Sequence, residues 1–178
     1  MDCADSSFSF ELNVIAFPAL DSIQSGDTIW LEVNSPVQFI DRNTGIVVDY
    51  SGAKNLGSAI GFQKLSAENM FDIAAVRNFR YTIRKGTEIT SRNAELYKEY
   101  NFAESGGKYT FLLGVTPTET GTFRLVFSNA GNVVRRNDNC TKAGFEIDFK
   151  DTHQHLYLDP NYVPGDSGGG AYYFKVVQ

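Results

Sequence analysis

Apolar and polar residues alternate with a period of two along most of the chain, the pattern of strands that bury one face. In FSFELNVIAF (Phe8 to Phe17) the residues Phe8, Phe10, Leu12 and Val14 fall on one side. DTIWLEV (Asp27 to Val33) follows a Ser-Gly-Asp turn, and VQFID (Val37 to Asp41) and IVVDY (Ile46 to Tyr50) flank a turn at Asn43-Thr44-Gly45. AIGFQKL (Ala59 to Leu65) and FRYTIRKG (Phe79 to Gly86) continue the series. KYTFLLGV (Lys108 to Val115) and TFRLVFSN (Thr122 to Asn129) form the clearest pair, two strands joined by a short loop. Their inward rows are Tyr109, Phe111, Leu113 and Phe123, Leu125, Phe127. GFEIDF, HLYL and AYYFKVV repeat the theme towards the C-terminus.

One stretch breaks the alternation. SRNAELYKEYNF (Ser91 to Phe102) offers Asn93 as a cap and sets Leu96 and Tyr100 at i, i+4, which predicts a short helix over 93–102. SAENMFDIAAVRN reads either way: Ser66 and Asn69 can cap a helical turn, whereas Ile73 and Val76 suit a strand. No internal repeat, linker or low-complexity tract interrupts the chain, so residues 1–178 are read as one domain. Roughly eight to ten strands at this spacing predict an all-β fold, an immunoglobulin-like β-sandwich with one short helix.

Composition supports that reading. The chain is 42% hydrophobic and 21% charged, enough apolar material for a packed core, and its 14 Phe and 9 Tyr favour pleated surfaces. The net charge is −5 and adjacent basic residues are confined to Arg84-Lys85 and Arg135-Arg136, which argues against a nucleic-acid partner, since phosphate contacts need clustered cations. No apolar run approaches the ~20 residues of a membrane helix. Met1-Asp2-Cys3 leads straight into polar residues with no signal peptide, so either the protein is cytosolic or an export signal has been removed.

The segment PGDSGGGAYYF (Pro164 to Phe174) contains GDSGG at 165–169, the spelling found around the nucleophilic serine of chymotrypsin-like proteases. There the serine works with a histidine base and an orienting aspartate, in chain order His, Asp, Ser. Here the two histidines, His153 and His155, both lie within 15 residues of Ser167, and only one strand's length follows Gly170. The stretch is therefore read as a turn in which Gly165 and Gly168-Gly169-Gly170 supply positive-φ positions, and the chain is not expected to be an enzyme.

Other candidate chemistry is sparse. His153 and His155 stand at i, i+2 in DTHQHLYLD, so on a strand both imidazoles would share a face near Asp151 and Asp159, as part of a zinc or copper site. A structural site wants four ligands, and exposed strand histidines are the simpler account. Tyr157, Tyr162, Tyr172 and Tyr173 cluster near the C-terminus as a possible sugar-binding platform, against ordinary strand alternation of Tyr172 and Phe174 with Tyr173 and Lys175. Carboxylates look scattered rather than paired, and SGGGAYY lacks the lysine of a phosphate loop. No motif calls for a cofactor.

The two cysteines, Cys3 and Cys140, leave three readings open. They form a disulfide pinning the N-terminal strand, worth roughly 4 to 5 kcal/mol in the chain-entropy model. Or they are two free thiols of a cytosolic protein. Or Cys3 carries a lipid and Cys140 is unpaired. No CxxC is present, which excludes the usual zinc spacings. Asn139-Cys140-Thr141 is formally a glycosylation sequon, relevant only to a eukaryotic secretory protein.

A cysteine near the start, then ADSSFSFEL, GDTIWLEV, GKYTFLLGVTPTETGTFRLVFSN, a late cysteine followed by FEIDF, and a closing GAYYFKVV give the chain its style. In these it resembles small uncharacterised cell-envelope lipoproteins of Bacteroidetes-type bacteria, over most of its length and without a diagnostic motif. TPTETGTFRLVF also resembles the turn and strand near the tyrosine corner of immunoglobulin-like domains, with Phe123 where the tyrosine would stand, so the corner hydrogen bond is absent. The resemblance implies an exported protein, periplasmic or tethered to the outer membrane. Its lipid-bearing cysteine would have preceded Asp2 and been removed, which leaves Cys3 to pair with Cys140. It also implies that Asp21-Ser22-Ile23 and Asp27-Thr28-Ile29 look like the short O-glycosylation pattern of such bacteria.

The expected function is a non-enzymatic binding or structural module of the cell envelope, with an unknown protein or glycan partner and membrane contact only through the lost lipid anchor. The alternative is a carbohydrate-binding or metal-dependent accessory domain that uses the C-terminal tyrosines or the His153/His155 pair.

Overall fold

The computed structural model describes residues 7–178. It contains seventeen strands, numbered in chain order, two short 3-10 turns and no longer helix. The largest sheet runs β10 (Thr87–Ile89), β11 (Tyr97–Asn101), β7 (Gly57–Lys64), β14 (Gly121–Phe127), β17 (Ala171–Val177), β3 (Ser22–Gln24), with β8 (Ile73–Ala74) also on β7. A second sheet runs β12 (Ala103–Ser105), β13 (Lys108–Pro117), β4 (Ile29–Pro36), β2 (Ile15–Phe17), with β9 (Phe79–Lys85) on β13. A third runs β1 (Ser7–Asn13), β16 (Asp138–Asp148), β15 (Ala130–Arg135), and β5 (Gln38–Ile40) pairs with β6 (Val47–Asp49) as a ribbon. The chain is thus all-β and single-cored, and among the described residues no helix is long and apolar enough to cross a membrane.

The two larger sheets pack face to face, and the path of the chain explains why. β13 and β14 are consecutive but do not pair with each other: β13 joins β4 and β9, whereas β14 joins β7 and β17. Residues 118–120 carry the chain from one layer to the other, so the Tyr109/Phe111/Leu113 row looks across at Phe123/Leu125/Phe127. All six side chains are buried. Rings from the two sheets interlock: Phe79 with Phe123 at 5.1 Å, Phe62 with Tyr81 at 5.3 Å, Tyr100 with Phe111 at 5.3 Å. Such edge and tilted contacts add about 0.5–1.5 kcal/mol each to simple area burial.

The third sheet and the ribbon close a second part of the same core. Phe10, Phe39 and Phe145 meet at 5.2–5.3 Å, and Tyr50 stands edge-on to Phe10 at 5.4 Å. Phe10 and Leu12 are buried as the alternation predicts, because β1 lies parallel to β16 with Phe10 opposite Phe145 and Leu12 opposite Ile147.

Two segments depart from the sequence reading. The helix expected over 93–102 is a single turn followed by strand. The Asn93 carbonyl accepts from the Leu96 amide at 3.2 Å and from the Tyr97 amide at 3.0 Å, and β11 begins at once. Pairing on both sides, with β10 and β7, supplies the hydrogen bonds a helix would have made, and Tyr100 drops into the core against Phe111. The Leu96/Tyr100 spacing fits a period of two as well as a period of four. HLYL is likewise not a strand: His155 is left-handed (φ 56°, ψ 45°) and Leu156–Leu158 is a 3-10 turn. The ambiguous stretch is divided, Ile73–Ala74 being strand and Val76–Asn78 a 3-10 turn. Cys3 lies outside the described residues, and so does its pairing with Cys140.

Candidate functional site

The loop between β16 and β17, residues 149–170, holds most of the residues with candidate chemistry. GDSGG proves to be part of the framework. Gly165 and Gly169 take positive φ (100° and 50°), as a turn needs. Gly168 and Gly170 are small for a different reason. A Cβ on Gly170 would lie 2.4 Å from the Phe127 carbonyl oxygen and 2.9 Å from that of Ile147, and one on Gly168 would meet the Gln154 amide. The loop stitches two sheets together through these contacts. The Phe127 amide donates to the Gly170 carbonyl at 2.8 Å, and the Phe149 amide to the Gly169 carbonyl at 3.1 Å. Gln154 Nε2 donates to the Gly169 and Ala171 carbonyls at 3.0 and 2.6 Å. The Ser167 hydroxyl accepts from the Gly169 amide at 3.3 Å, so it serves its own turn.

His153 and His155 do come together, though not by strand geometry. The left-handed turn at His155 swings its ring inward until it is 3% exposed, while His153 stays at the surface with the ring centroids 4.7 Å apart. His155 Nδ1 lies 2.9 Å from the Tyr173 carbonyl oxygen. A carbonyl only accepts, so Nδ1 carries a hydrogen, and in the neutral ring the lone pair is on Nε2. A shallow groove of about 240 Å³ opens here, lined by Thr152, His153, Gln154, His155, Tyr157 and Tyr162 among others.

The four-tyrosine platform is not assembled. Tyr157 is 53% exposed and donates to the Asp21 carboxylate, and Tyr162 is half-buried beside the groove. Tyr172 and Tyr173 are core residues, at 0% and 6% exposure, because both layers above β17 are closed: Tyr172 packs on Phe149 and His155, Tyr173 on Phe71. Asp151 is spent on Asn13, whose side-chain amide donates to it at 3.0 Å. Among the described residues, no group of three or more His, Cys, Asp or Glu gathers as a metal site would require.

The carboxylates, expected to be scattered, are in fact paired on the outer face of the third sheet. The alternation in FEIDF turns Phe145 and Ile147 inward and Glu146 and Asp148 outward, and the parallel register sets Glu11 opposite Glu146. Arg42 resolves the like-charge opposition by bridging Glu11 at 3.7 Å and Glu146 at closer range, and Lys150 adds a second contact to Glu11. The Arg42 hydrogen bond holds the Glu146 carboxyl below its usual value, whereas burial, and then the hydrogen bond with Glu146, push Asp148 up to about 6. A folded-state value raised above the unfolded value of about 3.9 means that stability is lost as pH rises from about 4 through about 6. Asp148 is substantially solvated, so the loss is screened to about 1 kcal/mol. Asp148→Asn is therefore expected to stabilise the protein by about that amount above pH 6 and hardly at all at pH 4, as read by urea unfolding at both pH values. An equal effect at the two would show that the Asp148 carboxyl is not raised in the folded state.

Compared with protein-family models and with curated proteins, the chain matches none.

Proposed function

We propose that the protein is an exported, non-enzymatic binding or structural module of a cell envelope, built as an immunoglobulin-like sandwich and directed at a protein or glycan partner. The observation that carries this reading is the fate of the one stretch with catalytic spelling. Residues 165–170 join β14, β16 and β17 through backbone hydrogen bonds, and Ser167 is turned to its own loop. The immunoglobulin-like assignment is supported by the chain crossing between facing sheets at residues 118–120 and by β3 running parallel to the final strand β17. A rigid frame of this kind works by presenting loops, and residues 149–164 present His153, Tyr157 and Tyr162 around one groove.

Export is tested by counting thiols. The chain is expressed in an oxidising compartment, denatured without reductant, alkylated and weighed intact. No alkylation is expected, with Cys3 and Cys140 bonded to each other. Two alkylated thiols on a well-folded protein would return the chain to a reducing compartment and remove the envelope reading.

A further inference from the structure

We propose that His153 and His155 together form an open two-histidine site for a late first-row divalent metal ion, with Cu(II) the best fit. The argument starts from His155. Its Nδ1–H is held by the Tyr173 carbonyl at 2.9 Å, the arrangement by which a backbone oxygen orients a metal-ligating imidazole and fixes its tautomer. Nε2 makes no hydrogen bond, yet the ring is 3% exposed. Among the described residues, the only side-chain nitrogen or oxygen both sealed in protein and without a partner is Arg135 Nε. The Nε2 lone pair therefore reaches the groove. An oriented and unused acceptor that opens on a groove is what a donor or a cation would take.

His153 supplies the second nitrogen. An imidazole bound through nitrogen puts its ring centroid about 3.2 Å from the ion, the sum of a bond of about 2.0–2.1 Å and the ring radius. Two rings bound to one ion can therefore have centroids up to about 6.4 Å apart, and the 4.7 Å seen here lies within that reach. Imidazole nitrogens with open oxygen positions suit late first-row ions, and among these Cu(II) leads in intrinsic affinity. No third protein ligand gathers with the pair among the described residues, so the other positions are open to water or to a donor from outside. The groove of about 240 Å³, walled by Tyr157 and Tyr162, gives that donor room. This makes the site a docking point that a partner's side chain or a small chelate can complete. The proposal does not depend on the protein being exported, and the thiol count and the metal test can fail separately.

The test is titration of the intact, oxidised chain with Cu(II), followed by electron paramagnetic resonance. One equivalent is expected, with hyperfine structure from two equatorial nitrogens. His153 is exposed, so His153→Ala leaves the fold unchanged by circular dichroism and is expected to weaken that equivalent at least tenfold. His153→Gln and Tyr157→Phe separate ligation from groove shape: the first is expected to lose the signal and the second to keep it. Failure to bind one equivalent would overturn the proposal. So would binding that His153→Ala leaves unchanged, or a spectrum with a single nitrogen.

Discussion

Tyr109→Phe is expected to lower the free energy of unfolding by about 2–4 kcal/mol, although it removes a single oxygen. The hydroxyl is shut inside the protein, with Tyr109 1% exposed, and burial pushes its pKa up to about 12. It donates to the Tyr50 carbonyl at 2.5 Å and accepts from the Ala53 amide at 3.0 Å, tying the chain that leaves the ribbon to the inner face of β13. Tyr50 passes the link on, its own hydroxyl donating to the Val133 carbonyl of β15 at 2.5 Å. Phenylalanine would fill the same space but orphan both backbone groups, each at a cost of about 1–3 kcal/mol. In urea, the midpoint should fall while the slope stays the same. A change under about 0.5 kcal/mol would show that water reaches the site and that the relay is not what joins the third sheet to the second.

The difference between what alternation can and cannot convey runs through the whole molecule. Phe10, Leu12, Phe111 and Phe123 were legible as core because a period of two reports which face a residue takes. Which strand pairs with which is not in that signal. β13 and β14 look like a hairpin, yet they belong to different layers, and β1 meets β16 in parallel across most of the chain. The misread segment at 93–102 shows the same limit, since Leu96 and Tyr100 satisfy both periods and the flanking strands decide.

At the candidate site, His153 and His155 could be singled out by residue type alone, but their approach depends on a left-handed residue that a strand reading misses. Tyr172 and Tyr173 look alike in sequence to Tyr157 and Tyr162, and only the sheets on both sides of β17 divide them into core and groove wall. The Glu146/Asp148 pair could have been found from FEIDF by asking where the outward residues go. Its neighbours Glu11 and Arg42 could not, because they arrive through long-range pairing.

Reduction of a bond between Cys3 and Cys140 is expected to remove about 4–5 kcal/mol, a large share of the roughly 5–15 kcal/mol that holds a domain of this kind together. The first registered pair of β1 and β16 is Ser7 opposite Lys142, and in sequence Cys3 comes four residues before the one and Cys140 two before the other. The Cys140 end is firmly set: the Asp138 carboxylate accepts from the Cys140 and Thr141 amides at 3.0 and 3.1 Å and pairs with Arg135 at 3.0 Å. Among the described residues β1 is an edge strand, with β16 as its one sheet neighbour. Without the bond, the parallel pairing must be closed from a free chain end across most of the sequence, and that loop entropy is the quantity lost. Guanidinium unfolding with and without reductant measures it, and Cys140→Ser should reproduce the reduced curve and no longer respond to reductant. Curves that coincide for the wild type would leave β1 held by Phe10, Leu12 and its backbone pairing alone, and the third sheet would then have to be stable without a covalent tie.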